Sequence, residues 1–292
     1  MNNENLWHLQ EHIFGYLNYD TLEICRKVYK SWNESLKKFS YIKFFQEFGD
    51  KKVGYTEKTV TVSTFIPGWE NAVKKYVARA SIKDLQEVKD SIRELVRYCY
   101  GKCLYYPVHT AAIIGAVKFM DLILKTSYDL NARTDDGRTA LHYACESGTT
   151  ETVELMIKSS KDLSIDLNAK DDSEFTPFHL ACKNGRRETV ELMIKSSKDF
   201  SIDLNARDYE GCTALHRICD SDRSLSRRRI VELMMKNWKE FCIDIKARNN
   251  AGRTPLDRAS QIFGDIDLKQ IKEMLENEYS KIDDTEHVAL KP

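Results

Sequence analysis

Three histidines stand three residues ahead of a cysteine: His142/Cys145, His179/Cys182 and His216/Cys219. On a helix that spacing puts imidazole and thiol on one side, and two chemistries follow. The pairs could ligate zinc, which takes imidazole nitrogen and thiolate sulfur in a tetrahedral set, or each could form a thiol–imidazole nucleophile. Both readings fail on repetition. Packed helices lie about 8–10 Å apart, so pairs from successive helices cannot converge on one ion with bonds near 2 Å. A nucleophilic pair would be singular, and this one occurs three times. Cys99-x-x-x-Cys103 has no second pair to complete a metal set. The phosphate-cradling G-x-x-x-x-G-K-[ST], the dinucleotide G-x-G-x-x-G and the nucleophile elbow G-x-S-x-G do not occur. The residues point away from catalysis, with no metal and no cofactor. A thiol- or zinc-dependent enzyme would require bound metal or one uniquely reactive cysteine.

The pairs recur because the chain does. Residues 151–171 read ETVELMIKSSKDLSIDLNAKD and residues 188–208 read ETVELMIKSSKDFSIDLNARD, differing only at Leu163/Phe200 and Lys170/Arg207. A copy 37 residues downstream is a tandem duplication, long enough for one helix–turn–helix unit and a loop. Around it, Thr139-Ala140-Leu141-His142, Thr176-Pro177-Phe178-His179, Thr213-Ala214-Leu215-His216 and Thr254-Pro255-Leu256-Asp257 share one position. Tyr106-Pro107-Val108-His109 is a fainter copy, so five units span roughly Tyr106 to Asn277. Leu141, Ala144 and Cys145 make one apolar stripe, and Val153, Leu155, Met156 and Ile157 another. One helix pair cannot bury both, so neighbouring units must stack. The threonine before each first helix suits an N-cap, and Pro177 and Pro255 sit where a first-turn proline is tolerated. Asp136-Gly137 and Glu210-Gly211 supply tight turns. Three units run four residues longer after the second helix, and one adds four more around Ser221–Arg228. Such insertions are expected in loops, because the helix faces must still meet.

The recurring T-P-L-H-x-A frame resembles the ankyrin repeat. The resemblance implies an all-α solenoid of helix pairs joined by short hairpin turns, with the histidine tying each turn through hydrogen bonds. It also implies a non-enzymatic surface that binds another protein through the turn tips and the exposed side of each first helix. Mapped onto the variable positions, the candidate target contacts are Arg133, Asp135, Asp136, Arg138, Tyr143 and Glu146 in the second unit. The third unit offers Lys170, Asp172, Glu174 and Lys183, and the fourth Arg207, Tyr209, Glu210, Arg217 and Asp220. Tyrosine and arginine are the side chains that most often carry interface energy. Arg227-Arg228-Arg229 stands in the inserted loop and could meet an acidic target. In the last unit Asp257 replaces the histidine, and the second helix (Leu268–Leu275) is charged outside, the pattern of a terminal cap.

Residues 5–45 fit three short helices. Leu9, Ile13, Phe14 and Leu17 face one way, then Leu22, Ile24 and Cys25, then Val28, Trp32, Leu36 and Phe39. The segment resembles the F-box motif through Leu6, Ile13-Phe14-Gly15-Tyr16-Leu17, Asp20-Thr21-Leu22 and Val28-Tyr29-Lys30-Ser31-Trp32, although Trp7 stands where that family has proline. The resemblance implies docking to the Skp-type adaptor of a cullin–RING ubiquitin ligase. Leu6, Leu9, Ile13, Phe14, Leu17, Leu22, Val28 and Trp32 would be its apolar framework. The chain would then be the substrate-recognition subunit of an SCF-type ligase, its protein target unidentified. The alternative is a non-enzymatic ankyrin scaffold whose N-terminal helices only cap.

The expected organisation is an F-box-like module over 1–45, a linker over 46–68, a helical pair capping the array over 69–105, repeats over 106–277 and a polar tail over 278–292. In the linker Thr59–Ile66 alternates like a short exposed strand. In the pair, Ala72, Val73, Tyr76 and Val77 share a face; Ser81-x-x-Asp84 resembles a capping box before a helix with Leu85, Val88, Ile92, Leu95 and Cys99 inward. Lys+Arg 45 balances Asp+Glu 45, which gives no pull towards nucleic acid or an anionic membrane. No apolar run approaches the roughly eighteen residues a bilayer span needs, and Met1–Asn5 carries no secretory signal. With Cys145, Cys182 and Cys219 on one core position, the expectation is a reduced intracellular protein, cytoplasmic or nuclear.

Overall fold

A computed structural model describes residues 52–53, 60–61, 68–77, 79–99, 107–219, 225–261 and 272–280. The F-box-like segment, with Leu6, Leu9, Ile13, Phe14, Leu17, Leu22, Val28 and Trp32, lies outside the described residues, as do Asp220 and residues 281–292. By compactness the chain divides into two units, Met1–Ala111 with Ala116–Asp129 and Ala112–Gly115 with Leu130–Pro292.

The described part of the first unit holds a two-residue antiparallel ribbon, β1 (Lys52–Val53) with β2 (Val60–Thr61), in the register Lys52↔Thr61. Three helices follow it: α1 (Trp69–Val77), α2 (Ile82–Cys99) and α4 (Val117–Leu124), and α1 and α2 both pack on α4. Helix α3 (Pro107–Ile114) precedes α4 in the chain. Ala72, Val73, Tyr76 and Val77 are buried, as are Leu85, Val88 and Ile92. The indole of Trp69 meets Phe119 edge-on at 6.3 Å. Helix α2 starts where it does because Ser81 Oγ accepts from the Asp84 N–H and Asp84 accepts from the Ser81 N–H, each at 3.2 Å.

In the second unit the helices are α5 (Ala140–Ser147), α6 (Thr150–Leu163), α7 (Pro177–Lys183), α8 (Arg187–Phe200), α9 (Ala214–Cys219), α10 (Leu225–Asn237), α11 (Pro255–Gln261) and α12 (272–280). First helices stack on first helices, α5 on α7, α7 on α9 and α9 on α11, and second helices likewise, α6 on α8 and α8 on α10. Helices α5, α7 and α9 also pack on their own second helices, so both apolar stripes are covered. Leu141, Ala144, Cys145, Val153, Met156 and Ile157 are buried, and Leu155 is half-buried. Gly148 closes α5 in the left-handed region at φ 78, where the absence of a Cβ removes the penalty. At the far end, Leu275 of α12 is fully buried while Trp238 Nε1 donates to Glu278 at 3.1 Å and Tyr279 Oη to the Ile245 carbonyl.

Two expectations are corrected here. The four extra residues of the longer units extend the second helix instead of forming a loop: α6 and α8 have 14 residues each, against 8 in α4. Ser-Ser-Lys-Asp contains no breaker, and its second serine continues the buried face. Ser160 Oγ donates back to the Ile157 carbonyl at 2.7 Å and Ser197 Oγ to Ile194 at 2.8 Å. The helices end one residue past the insert, where Ser164 and Ser201 turn left-handed at φ 52 and 54. The run Arg227–Arg229 likewise falls inside α10, with Arg228 Nε bonded to Glu232 one turn on at 3.0 Å. None of the described helices is long and apolar enough to cross a membrane.

Candidate functional site

The histidines turn out to be fasteners. His142 Nδ1 accepts from both the N–H and the O–H of Thr139, at 3.1 and 2.9 Å, so its proton sits on Nε2 and is donated to the Phe175 carbonyl of the next unit at 3.0 Å. His179 repeats this between Thr176 and the Cys212 carbonyl (3.2 Å), and His216 between Thr213 and the Arg253 carbonyl (3.0 Å). Each ring therefore caps its own helix and ties it to the following turn. Burial drives His142 down to about 4 and lowers His179 as well, which holds the neutral form the two-ended arrangement requires. Asp257 reproduces the near end alone, accepting from the Thr254 N–H and O–H at 2.8 and 2.9 Å. Burial raises the thiols of Cys145 and Cys182. They stay protonated, and a protonated buried thiol is neither nucleophile nor metal ligand. Among the described residues no group of three or more His, Cys, Asp or Glu could hold a metal ion.

The turns that project beyond the first helices are built by one acidic or amide side chain each. Asp171 Oδ1 accepts from the Ser173 and Phe175 N–H groups, Asp208 Oδ1 from Glu210 and Cys212, and Asn249 Oδ1 from Ala251 and Arg253. Successive tips then pair through the backbone: Asp172 N–H to the Asp136 carbonyl, Tyr209 to Ser173 and Asn250 to Glu210. Gly137 is required at such a contact. Its φ is 74, and a Cβ there would lie 2.9 Å from the Asp172 backbone nitrogen.

Several predicted contacts are partly committed to this framework. Arg133 donates to the Lys170 carbonyl, Lys170 to the Arg207 carbonyl and Arg207 to the Arg248 carbonyl, a ladder that runs from unit to unit. A second ladder escaped the sequence reading. The Asn131 amide donates to Ser164 O and accepts from Asp166 N, and Asn168 and Asn205 do the same one and two units on. Its signal was present, since the three asparagines share one position of the repeat.

Tyr143 is a correction. Its ring is only 7% exposed, because its hydroxyl donates to Asp136 at 3.1 Å and folds it under the tip. Arg138 lies among Asp136, Glu146 and Asp171 at 2.9–3.3 Å. Asp135, Asp136, Asp172, Glu174 and Lys183 are exposed, and Glu146 is half-buried. Glu174 takes the left-handed position at φ 58 that glycine holds in the other tips, and pairs with Lys170 at 2.9 Å.

The fourth unit concentrates the accessible chemistry. Tyr209 is 56% exposed, and its hydroxyl donates to Glu210 at 2.8 Å. Arg217 lies over the rings of both Tyr209 (5.7 Å) and Phe175 (5.2 Å) while its Nε holds Asp208 at 2.5 Å. Lys183 covers the other approach to Phe175 at 4.9 Å, and Arg258 meets Glu210 at 3.0 Å. Phe175 and Arg258 were not predicted: Phe175 is buried beneath Arg217 and Lys183, and Arg258 is brought in from the next unit. The result is an aromatic–guanidinium patch edged by one carboxylate, suited to a protein surface and lacking any reacting pair.

The family model described as "Ankyrin repeats (3 copies)" matches residues 85–171, 108–208 and 161–246, together more than half of the chain. Over 55 residues the chain is 36% identical to "Interferon antagonist OPG039" of Monkeypox virus and to "Interferon antagonist OPG040" of Vaccinia virus (strain Western Reserve). Each match takes in 19% of this chain and 19% of the relative, so the chain spans about a fifth of the length of these curated relatives.

Proposed function

Because the chain belongs to the ankyrin-repeat family, a family of protein-interaction modules, we propose that it is the substrate-recognition subunit of an SCF-type ubiquitin ligase. The array holds the target and residues 5–45 hold the Skp-type adaptor. The observation that carries the target half is the Tyr209–Arg217–Phe175 stack, which offers an exposed aromatic and a guanidinium on a frame fixed by ion pairs. Rigid aromatic and arginine side chains are where binding energy concentrates. The adaptor half rests on the motif residues Leu6, Ile13, Phe14, Leu17, Leu22, Val28 and Trp32. The chain itself performs no chemistry. It raises the effective concentration of the target's lysines at the ligase, and so works in the cytoplasm or nucleus. The interferon-antagonist matches take in only 55 residues, 19% of each chain, and do not carry antagonism over to this one.

Pull-down by purified Skp-type adaptor, with wild type and an Ile13→Asp/Leu17→Asp variant, tests the adaptor half, with circular dichroism to show that the array stays folded. Capture of wild type and loss in the variant is expected. A folded wild type that is not captured overturns the ligase reading. Trp7 in place of the family's proline is the feature that favours the second reading, a plain ankyrin scaffold.

A further inference from the structure

A pocket of about 520 Å³ opens in the first unit, walled by α1, the α1–α2 turn, the start of α2 and α4. Its polar lining is four cations and two carboxylates. Asp84 is matched by Lys118 at 3.1 Å and Asp121 by Lys125 at 2.5 Å. Lys75 and Arg79 remain exposed at the rim, with no ion pair among the described residues. The lining thus carries an excess of two positive charges. Tyr76 lies between Lys75 and Arg79 in the chain, 9% exposed, and its hydroxyl is buried without a hydrogen-bond partner among the described residues. A buried hydroxyl left unbonded is costly, and in folded proteins such groups are nearly always satisfied. Tyr76 is one of the residues that line the pocket, so a ligand held there is placed to supply the partner.

We propose that this pocket binds a phosphate monoester, with the Tyr76 hydroxyl donating to a phosphoryl oxygen and Lys75 and Arg79 neutralising the dianion. Three features select this class. The two-charge excess matches a dianion at neutral pH, and guanidinium and ammonium groups are the usual partners of phosphoryl oxygens. The volume exceeds what a phosphoryl group fills, and Ala72, Ala80 and the lysine stems leave room for an organic body. A divalent cation is disfavoured, because both carboxylates are committed to lysines and four cations face the cavity. Burial raises the Tyr76 phenol above its ordinary value, and Asp84, Asp121 and Glu87 push the same way, so it remains a donor. This site shares no residue with the array's patch and stands or falls independently of the ligase reading.

The test is calorimetric titration of the full chain at constant ionic strength with inorganic phosphate, glycerol phosphate, and a phosphoserine peptide beside its unphosphorylated twin. Wild type is expected to bind phosphate and at least one of the esters, and not the unphosphorylated peptide. Tyr76→Phe is expected to weaken binding about tenfold, or about 1.4 kcal/mol, without lowering the ligand-free melting temperature, since the hydroxyl it removes is buried and unbonded among the described residues. Lys75→Ala/Arg79→Ala, both at exposed positions, is expected to abolish binding. Preference for glycerol phosphate identifies a small ester as the natural ligand, and preference for the phosphopeptide a phosphorylated protein. No heat with wild type beyond a chloride control, or phosphate binding that survives both variants, overturns the proposal. So does a Tyr76→Phe chain that melts lower yet binds as wild type, because the hydroxyl would then serve the fold.

Discussion

Acidification from pH 7 to pH 5 is expected to destabilise the array by about 2 kcal/mol through His142 alone. In the unfolded chain this imidazole takes up a proton near 6.5; in the fold, burial holds it off until about 4. Between those values the unfolded state binds more protons than the native state, so stability is fully present above about 6.5 and falls as pH falls through the window. Each pH unit inside that window is worth about 1.4 kcal/mol, and the roughly 1.5 units between 6.5 and pH 5 give the figure above. The structural cause is the double acceptance at Nδ1: an imidazolium there would face the Thr139 N–H with no lone pair. Asp171 opposes the downward shift while Arg138 and Arg133 add to it. His179, also lowered by burial, contributes in the same direction. Asp136, Glu210 and Asp257 are held below their ordinary values, so their own losses come at lower pH. Urea unfolding followed by circular dichroism at pH 7, 6 and 5, for wild type and His142→Gln, reads the effect directly. The variant is less stable at pH 7 and loses about 2 kcal/mol of the pH dependence. A wild-type stability that stays flat between pH 7 and 5, or a variant that keeps the full slope at an unchanged m-value, refutes the reasoning.

Gly137→Ala is expected to cost about 2 kcal/mol and Gly252→Ala only about 1 kcal/mol, because both sit at positive φ but only the first Cβ meets the next unit's backbone; paired thermal melts measure the gap. Asn168→Ala removes one donated and one accepted bond, to Ser201 O and from Asp203 N, each at 2.8 Å. A loss of about 1–2 kcal/mol is expected, with amide exchange accelerated at Asp203 first. Arg217→Ala leaves the fully buried Asp208 carboxylate without its cation and is expected to cost about 3 kcal/mol. Lys183→Ala, at an exposed position, is expected to stay within about 0.5 kcal/mol of wild type. If both melt alike, Arg217 is a surface residue and the ion pair at its base carries nothing.

Much of the helical array was legible in the sequence, because a unit written twice fixes its own frame. The apolar stripes, the threonine caps and the turn glycines are local features, and local chemistry decides them. What escaped was contact between units. Arg133, Lys170 and Arg207 look like free tip residues, since a side chain's choice of the next unit's carbonyl leaves no mark on its own neighbours. Tyr143 was read as exposed for the same reason, as its partner Asp136 lies seven residues earlier across a turn. The extra turn of α6 and α8 is hard to see in the sequence for a different reason. An insertion in a stacked array is expected in a loop, whereas Ser160 and Ser197 extend a buried face at helical spacing. The pocket around Tyr76 draws its walls from α1, α2 and α4, and no pattern along one helix announces it.

The two near-identical copies also bear on where a target would be read. Between 151–171 and 188–208 only two residues differ, and these segments supply the second helix and the chain leading to the next tip. The tips and first helices that follow diverge: Asp172-Ser173-Glu174-Phe175 in one copy becomes Tyr209-Glu210-Gly211-Cys212 in the other, and Lys183 is replaced by Asp220. A surface made of the second helices would present nearly the same side chains twice. The tips present different ones, and among them Tyr209 has 56% of its surface exposed with Arg217 stacked against it. Discrimination between partners needs differences in shape and charge, and in this chain the differences were placed at the tips while the asparagine and histidine fasteners beneath them were kept.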